Sequence, residues 1–195
     1  YEIGSVYTIV DAGLNTDLSE SSRYMLAQQA ACAGKIVMSR TQCVSPEKEK
    51  ETEEFLEKVL AEFQCSRSLE HDIYRKDWNK MNDSDFQELT KSGYRTEKCG
   101  KLWMDQREAY NSVYYMNLPI QETELKDAAE KILKDKECGK VFRIKGFLKR
   151  EDGSWMELNI THDQISVEPI PKGQEVIIVI GEKLNQEKIN QYLEK

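Results

Sequence analysis

The sequence predicts an α/β segment with a parallel sheet, followed by an α+β domain with an antiparallel sheet and helices on one face. Three observations carry that reading. Up to residue 65, apolar β-branched runs alternate with helix-forming stretches, the pattern of strands joined by crossover helices. Beyond residue 111, one strand and one helix precede four strands whose connecting turns are short enough to require antiparallel neighbours. A final amphipathic helix closes the chain.

The first segment opens with Ser5-Val6-Tyr7-Thr8-Ile9-Val10-Asp11-Ala12, a short apolar run suited to a buried strand. Residues 20–33 are rich in helix formers, and Gly34 is a natural stop. Lys35-Ile36-Val37-Met38-Ser39 reads as a second buried strand. Ser45 then offers an N-cap, Pro46 fits the first helical position and Glu47 supplies first-turn acid. The helix that follows carries Phe55, Leu56, Val59, Leu60 and Phe63 as one apolar stripe.

Residues 66–111 lack that regularity. One short helix, capped by Asn82 or Asp83 and ending near Gly93, carries Phe86 and Leu89. Trp78 and Trp103 lie in the irregular stretches around it, and so many large aromatics suit a packed connector better than a flexible linker. The expected divisions are therefore 1–67, 68–110 and 111–195.

In the last division, Val113-Tyr114-Tyr115-Met116 reads as a strand. Residues 121–136 read as a helix with Leu125, Ala128, Ala129, Ile132 and Leu133 on one face. Strands follow at 141–149, 154–160, 164–169 and 175–181, separated by Glu151-Asp152-Gly153, Thr161-His162-Asp163 and Pro171-Lys172-Gly173, all good turn formers. A helix over 185–194 starts at Asn185 and buries Ile189 and Leu193.

Composition excludes several function classes. The 195 residues carry a net charge of −7 with no basic segment, so phosphate-backbone binding has no electrostatic driving force and no nucleic-acid partner is expected. No apolar run reaches the roughly 18–20 residues of a membrane helix, and the start lacks a signal peptide. The five cysteines, Cys32, Cys43, Cys65, Cys99 and Cys138, are dispersed and never form a CxxC pair, which fits reduced thiols and a cytoplasmic location. Histidines are only two, His71 and His162, so no metal site is expected within the chain. The absence of an initiator Met and a start almost inside a strand suggest a piece of something longer.

Motif searches exclude more than they find. Gly34-Lys35, Gly100-Lys101 and Gly139-Lys140 lack both the Ser or Thr that follows and the Gly that precedes a phosphate-cradling GxxxxGK[ST] loop. GxGxxG, GxSxG and HExxH are absent, so no catalytic residue is assigned. Ser39-Arg40-Thr41-Gln42 directly follows a buried strand of the parallel segment. Ligands of open α/β sheets bind beyond the carboxyl ends of the strands, although an ordinary polar loop would occupy the same place.

Residues 5–65 resemble the second half of the GTPase domain of CobW-like proteins. The features that match are a strand ending Val10-Asp11-Ala12, a helix containing Gln28-Gln29-Ala30-Ala31, and Ile36-Val37-Met38 followed by Ser39-Arg40-Thr41-Gln42, where the family places its guanine-reading Asn-Lys-x-Asp. Residues 111–195 resemble the family's carboxyl-terminal domain through Gly139-Lys140-Val141-Phe142-Arg143-Ile144-Lys145-Gly146-Phe147, Trp155 and Val176-Ile177-Ile178-Val179-Ile180-Gly181. The resemblance implies half of a P-loop nucleotide domain, a packed connector and a CobW C-terminal-like α+β domain. It also implies a nucleotide-dependent metal-insertion or metal-chaperone protein that uses GTP or another purine nucleotide, Mg²⁺ and a transition metal such as Zn or Co. The P-loop, the Mg²⁺-binding acid and the CxCC metal motif belong to a first half that this sequence lacks, so no hydrolysis by the chain alone is expected.

On the same resemblance, Ser39, Arg40, Thr41 and Gln42 form a degenerate base-binding loop. Where Asp would accept two hydrogen bonds from guanine, the Gln42 amide offers one acceptor and one donor, which weakens guanine selectivity. Arg40 is placed to stack its guanidinium on a base. A client metalloprotein is the expected partner, and self-association through an exposed sheet edge is expected as well. The alternative function is a non-catalytic protein-interaction module built on the carboxyl-terminal domain.

Simpler roles are expected elsewhere. Cys32 and Cys43, which flank the base-binding loop, should be small buried hydrophobes, redox or metal groups being the other reading; His162 should be an exposed turn residue, and Trp78, Trp103 and Trp155 core or interdomain anchors. Arg143, Lys145, Lys149 and Arg150 should protect a solvated edge strand, a docking surface for an acidic partner being the other reading.

Overall fold

The computed structural model describes residues 2–103 and 109–194. Residues 104–108, inside the expected connector, lie outside the described set. Two compact units, Tyr1–Met104 and Asp105–Lys195, divide the chain. One holds a parallel sheet with helices, the other an antiparallel sheet with helices, as the fold class predicts.

The first unit is built on strands β1 (Tyr7–Asp11), β2 (Lys35–Ser39) and β3 (Ile73–Arg75), in the order β1-β2-β3 and parallel throughout. Helix α1 (Glu20–Cys32) joins β1 to β2, and α2 (Pro46–Glu62) leads from β2 towards β3. Their caps follow the sequence: Ser19 accepts from the Ser22 N–H and Ser45 from the Lys48 N–H, with Pro46 at the start of α2. On one side of the sheet Val10, Ile36 and Met38 share a core with Ala27, Ala30 and Ala31 of α1 and Leu56, Val59 and Leu60 of α2. On the other side Val37 is buried, but Ile9 is 65% exposed, so β1 is covered on one face only. The alanines of α1 are fully buried, and their small side chains permit close approach to the sheet. Gly34 follows α1 for a reason other than a left-handed stop. A Cβ there would sit 2.3 Å from the Gly93 carbonyl oxygen, so only glycine admits the crossing backbone.

β3 lies where the sequence marks no strand. Three residues are too few for alternation to register, and tertiary contacts hold them instead. The Ile36 N–H donates to the Asp72 carbonyl at 2.9 Å. Arg67, its side chain 1% exposed, donates to the Ala30 carbonyl and pairs with Asp72 at 3.1 Å; Asp72 also takes Arg95 at 2.6 Å. Helix α3 (Asp83–Thr90) starts in a capping box of Asn82 and Asp85 and buries Leu89. Phe86 stays exposed, as do Trp78 at 40% and Trp103 at 90%. These tryptophans are not the anchors expected, because α1, α2 and the strands already fill the small core with aliphatic side chains.

The second unit comprises β4 (Tyr110–Met116), α4 (Glu122–Lys134), β5 (Lys140–Lys149), β6 (Trp155–Thr161), β7 (Ile165–Ile170), β8 (Val176–Glu182) and α5 (Gln186–Leu193). Its sheet has the order β4-β8-β5-β6-β7, antiparallel at every pairing. Leu125, Ala128, Ala129 and Ile132 of α4 and Ile189 and Leu193 of α5 pack on Ile144, Met156, Leu158, Ile160, Ile177 and Val179. The alternation of buried and less buried residues along β6 and β8 is that of a sheet covered on one face.

Two expectations need correction here. The turn at Pro171-Lys172-Gly173 does not join neighbouring strands, because β8 inserts between β4 and β5. The chain reaches that slot by passing over Trp155, where a Cβ on Gly173 would come within 2.9 Å of the indole ring. Nor is β5 an edge strand. It is the middle strand of five, so Arg143 and Lys145 project from the centre of the sheet rather than guarding its margin.

Candidate functional site

The parallel strands β1 and β2 end together. Asp11 and Ser39 are register partners, the Ala12 N–H donates to the Ser39 carbonyl at 2.8 Å, and the Ser39 hydroxyl donates to the Val10 carbonyl at 3.2 Å. The tetrapeptide Ser39–Gln42 thus leaves the sheet beside the turn that follows β1. Arg40 adopts a left-handed conformation (φ 61°) and leads into a short 3₁₀ turn, Thr41–Cys43, closed by the Cys43 N–H donating to the Arg40 carbonyl at 2.9 Å. A non-glycine residue at positive φ carries local strain, here at the point where the chain redirects the Arg40 side chain.

That side chain turns back over β1. Arg40 Nη1 lies 2.9 Å from Asp11 Oδ2, both groups being about one-third exposed. The Gly13 N–H donates to the other carboxylate oxygen, Oδ1, at 2.9 Å. Asp11 is therefore the residue that sequence reasoning passed over: it ends β1 in an otherwise uncharged strand, yet only the register with Ser39 shows that it faces Arg40. Behind this rim the buried Thr52 hydroxyl of α2 donates to the Ala12 carbonyl at 2.7 Å, tying α2 to the strand end. Thr41 is half-buried and Gln42 exposed, so the loop's amide side chain faces solvent.

Electrostatically the rim is self-compensated. Arg40 is tied to Asp11, Lys48 to Glu51 at 3.0 Å, and Arg75, at the end of β3, to Glu49 at 3.1 Å and to Glu53. The flat Arg40 guanidinium and the Gln42 amide suit a planar base with both donors and acceptors. Phosphates would have to compete with carboxylates for every one of these cations.

Among the described residues no cluster of three or more His, Cys, Asp and Glu could hold a metal ion. Cys32 and Cys43 are exposed, against expectation, whereas Cys65, Cys99 and Cys138 are buried. Cys32 ends α1 and Cys43 closes the 3₁₀ turn, so both leave the core where their elements finish. Burial, with the Cys65 thiol alongside, pushes Cys99 up to about 11. Burial likewise pushes Cys138 up to about 11, so both thiols are protonated near neutrality. His162 is exposed in its turn, and its ring nitrogen Nε2 bonds the Val141 carbonyl at 2.9 Å.

In the second unit the sheet face away from the helices presents a mixed surface. Lys145 pairs with Glu157 at 2.6 Å and lies 5.3 Å over the Phe147 ring, and Arg143 Nε donates to Asn159 Oδ1 at 2.7 Å. Tyr114 and Met116 of β4 are exposed beside Ile178 and Val176 of β8, their register partners.

Among family models, the cobalamin synthesis protein cobW C-terminal domain matches residues 112–195. No curated protein matches the chain in sequence. Two solved structures are similar. The Zn(II)-bound YjiA GTPase from E. coli is 18% identical, with 98% of this chain and 60% of that one covered and a TM-score of 0.39. A Zn(II)-bound triple mutant of YjiA GTPase is 17% identical over the same shares, with a TM-score of 0.40. The chain thus spans about 60% of the length of these structures. Among the described residues no helix is long and apolar enough to cross a membrane. With both helices and all of the antiparallel sheet except the first two residues of β4 inside the matched span, the chain carries a CobW-like C-terminal part over residues 112–195.

Proposed function

We propose that this chain is part of a nucleotide-dependent metal-insertion or metal-chaperone GTPase, in which Ser39, Arg40, Thr41 and Gln42, steadied by Asp11, form the base side of a purine site. The observation that carries the reading is the parallel pairing of β1 and β2, which sets this loop at the carboxyl ends of two strands, where α/β sheets bind ligands. A cobW C-terminal domain in the same chain supports the metal-handling half of the proposal. The described residues fit a purine base but not its phosphates or Mg²⁺, since Arg40, Lys48 and Arg75 are each held by a carboxylate. Those groups, and the site for a transition metal such as Zn or Co, belong to other parts of the protein. The carboxyl-terminal domain then meets a client metalloprotein in the cytoplasm.

In a nitrogen-15 NMR titration of the chain with GDP, the amides of Arg40, Thr41 and Gln42 shift at millimolar nucleotide, and no phosphate is released from GTP. Micromolar binding, or shifts elsewhere in place of these, contradicts the proposal.

A second reading has one observation in its favour. The uncovered sheet face of the second unit, with Tyr114 61% and Met116 48% exposed, suits a non-catalytic interaction module. An unperturbed 39–42 loop under nucleotide, together with partner binding that maps to residues 111–195, favours it over the first.

A further inference from the structure

The two margins of the antiparallel sheet differ in chemistry. β7 ends one side as Ile165-Ser166-Val167-Glu168-Pro169-Ile170, and its proline and acid are devices that discourage another strand from adding. β4 ends the other side as Tyr110-Asn111-Ser112-Val113-Tyr114-Tyr115-Met116. That strand has no charge and no proline, in a chain of which 32% is charged. Among the described residues β4 pairs only with β8, which leaves its outer margin of backbone N–H and C=O groups without a ladder partner. One of the strand's N–H groups, that of Ser112, is taken by the neighbouring Asn111 side chain at 2.8 Å, a local bond that a strand partner can displace.

We propose that β4 is a self-association edge, and that its occupant is β4 of a second copy, antiparallel about a two-fold axis through Val113. This goes beyond the nucleotide reading and does not depend on it. Period-two alternation favours this register. With Val113 opposite Val113, Asn111 faces the second copy's Tyr115 on the helix side of the sheet. On the uncovered side Ser112 faces the second copy's Tyr114, and Tyr110 faces its Met116. Each side chain thus keeps to its own face, and the tyrosines meet Asn111, Ser112 and Met116 while Val113 meets Val113, without a charge conflict. Tyr114 and Met116, exposed in the single chain, are the groups this arrangement covers. The rival edge is β1, five residues long and ending in Asp11.

The test is the solution mass of the whole chain, read by light scattering over rising concentration. The wild type gives about twice 22.7 kDa. Ser112→Lys with Tyr114→Lys sets lysines opposite one another across the axis, and the mass halves. Ser112→Lys with Tyr114→Glu sets opposite charges there, and the doubled mass returns. Far-UV circular dichroism and urea midpoints confirm that both variants fold. A wild type that stays at single mass at millimolar concentration overturns the proposal. So does a dimer that survives the two lysines but falls apart with Ile9→Lys, which assigns association to β1. Failure of the Lys–Glu variant to dimerise overturns the register.

Discussion

Arg40 Nη1 sits 2.9 Å from Asp11 Oδ2, joining the loop after β2 to the last residue of β1 across the carboxyl ends of two parallel strands. The pair fixes the guanidinium of a residue whose backbone is itself in the left-handed region. It is also about one-third exposed, so its role is positional rather than energetic. A double-mutant cycle of Arg40→Ala and Asp11→Ala in urea unfolding should return a coupling below about 1 kcal/mol. A coupling above about 2 kcal/mol would mean that the pair is desolvated and closed to a ligand. The same Asp11→Ala change should weaken the nucleotide-induced shift at Arg40 by releasing its side chain.

Buried pairing has a different weight. Arg67 is 1% exposed in its side chain, pairs with Asp72 at 3.1 Å and donates to the Ala30 carbonyl in the last turn of α1. Arg67→Met keeps most of the volume but leaves that carbonyl without the donor and Asp72 with Arg95 alone. Breaking a buried pair from one side costs about 3–5 kcal/mol, and the remaining Arg95 contact places the expected loss at the lower end. Urea unfolding followed by tryptophan fluorescence measures it. A loss under about 1 kcal/mol would show that water replaces Arg67 without difficulty.

What could be read from sequence tracks how local each signal is. The caps at Ser45-Pro46, Asn82 and Asn185, the stripe Leu56–Val59–Leu60 and the run of strands after residue 139 are encoded by neighbours within one or two turns, and the structure has all of them. β3 escaped because three residues hold no period, and its place depends on Arg67, Asp72 and β2. The slot of β8 is not legible because a short turn ordinarily joins adjacent strands, whereas Gly173 lets the chain cross Trp155. Arg143 and Lys145 suggested an edge because charge in a strand usually means exposure, yet here they lie on the uncovered face of the middle strand. The loop Ser39–Gln42 was visible from its place after a buried strand. Its partner Asp11, twenty-nine positions before Arg40, is hidden until the parallel register brings the strand ends together.

Gly173 offers a direct check on the crossover. Its conformation does not require glycine, but a Cβ would meet Trp155 Cε3 at 2.9 Å and Ile170 Cδ1 at 3.2 Å. Gly173→Ala should therefore cost about 1–3 kcal/mol through overpacking, and the cost should shrink when Trp155→Leu is added, because the ring is the obstacle. Additive losses in the double variant would place the strain elsewhere.

Asp85 should contribute to acid sensitivity of the first unit. Its carboxylate is held down to about 2, from an ordinary 3.8, first by Lys76 and then by the Asn82 N–H. Lys76 Nζ lies 2.6 Å away and the Asn82 N–H donates to Oδ2 at 2.7 Å. A carboxyl group whose pKa is lower in the folded chain than in the unfolded one stabilises the fold at every pH above the unfolded value. That contribution is lost as pH falls through the folded value. Asp85→Asn removes the charge while keeping an oxygen that can accept from the Asn82 N–H. The difference in urea midpoint between wild type and this variant should be flat above about pH 5, decline between about pH 4 and pH 2, and vanish below that. A difference that instead widens as pH falls reverses the sign and rules out an ion pair with Lys76 as the source of the cap's stability.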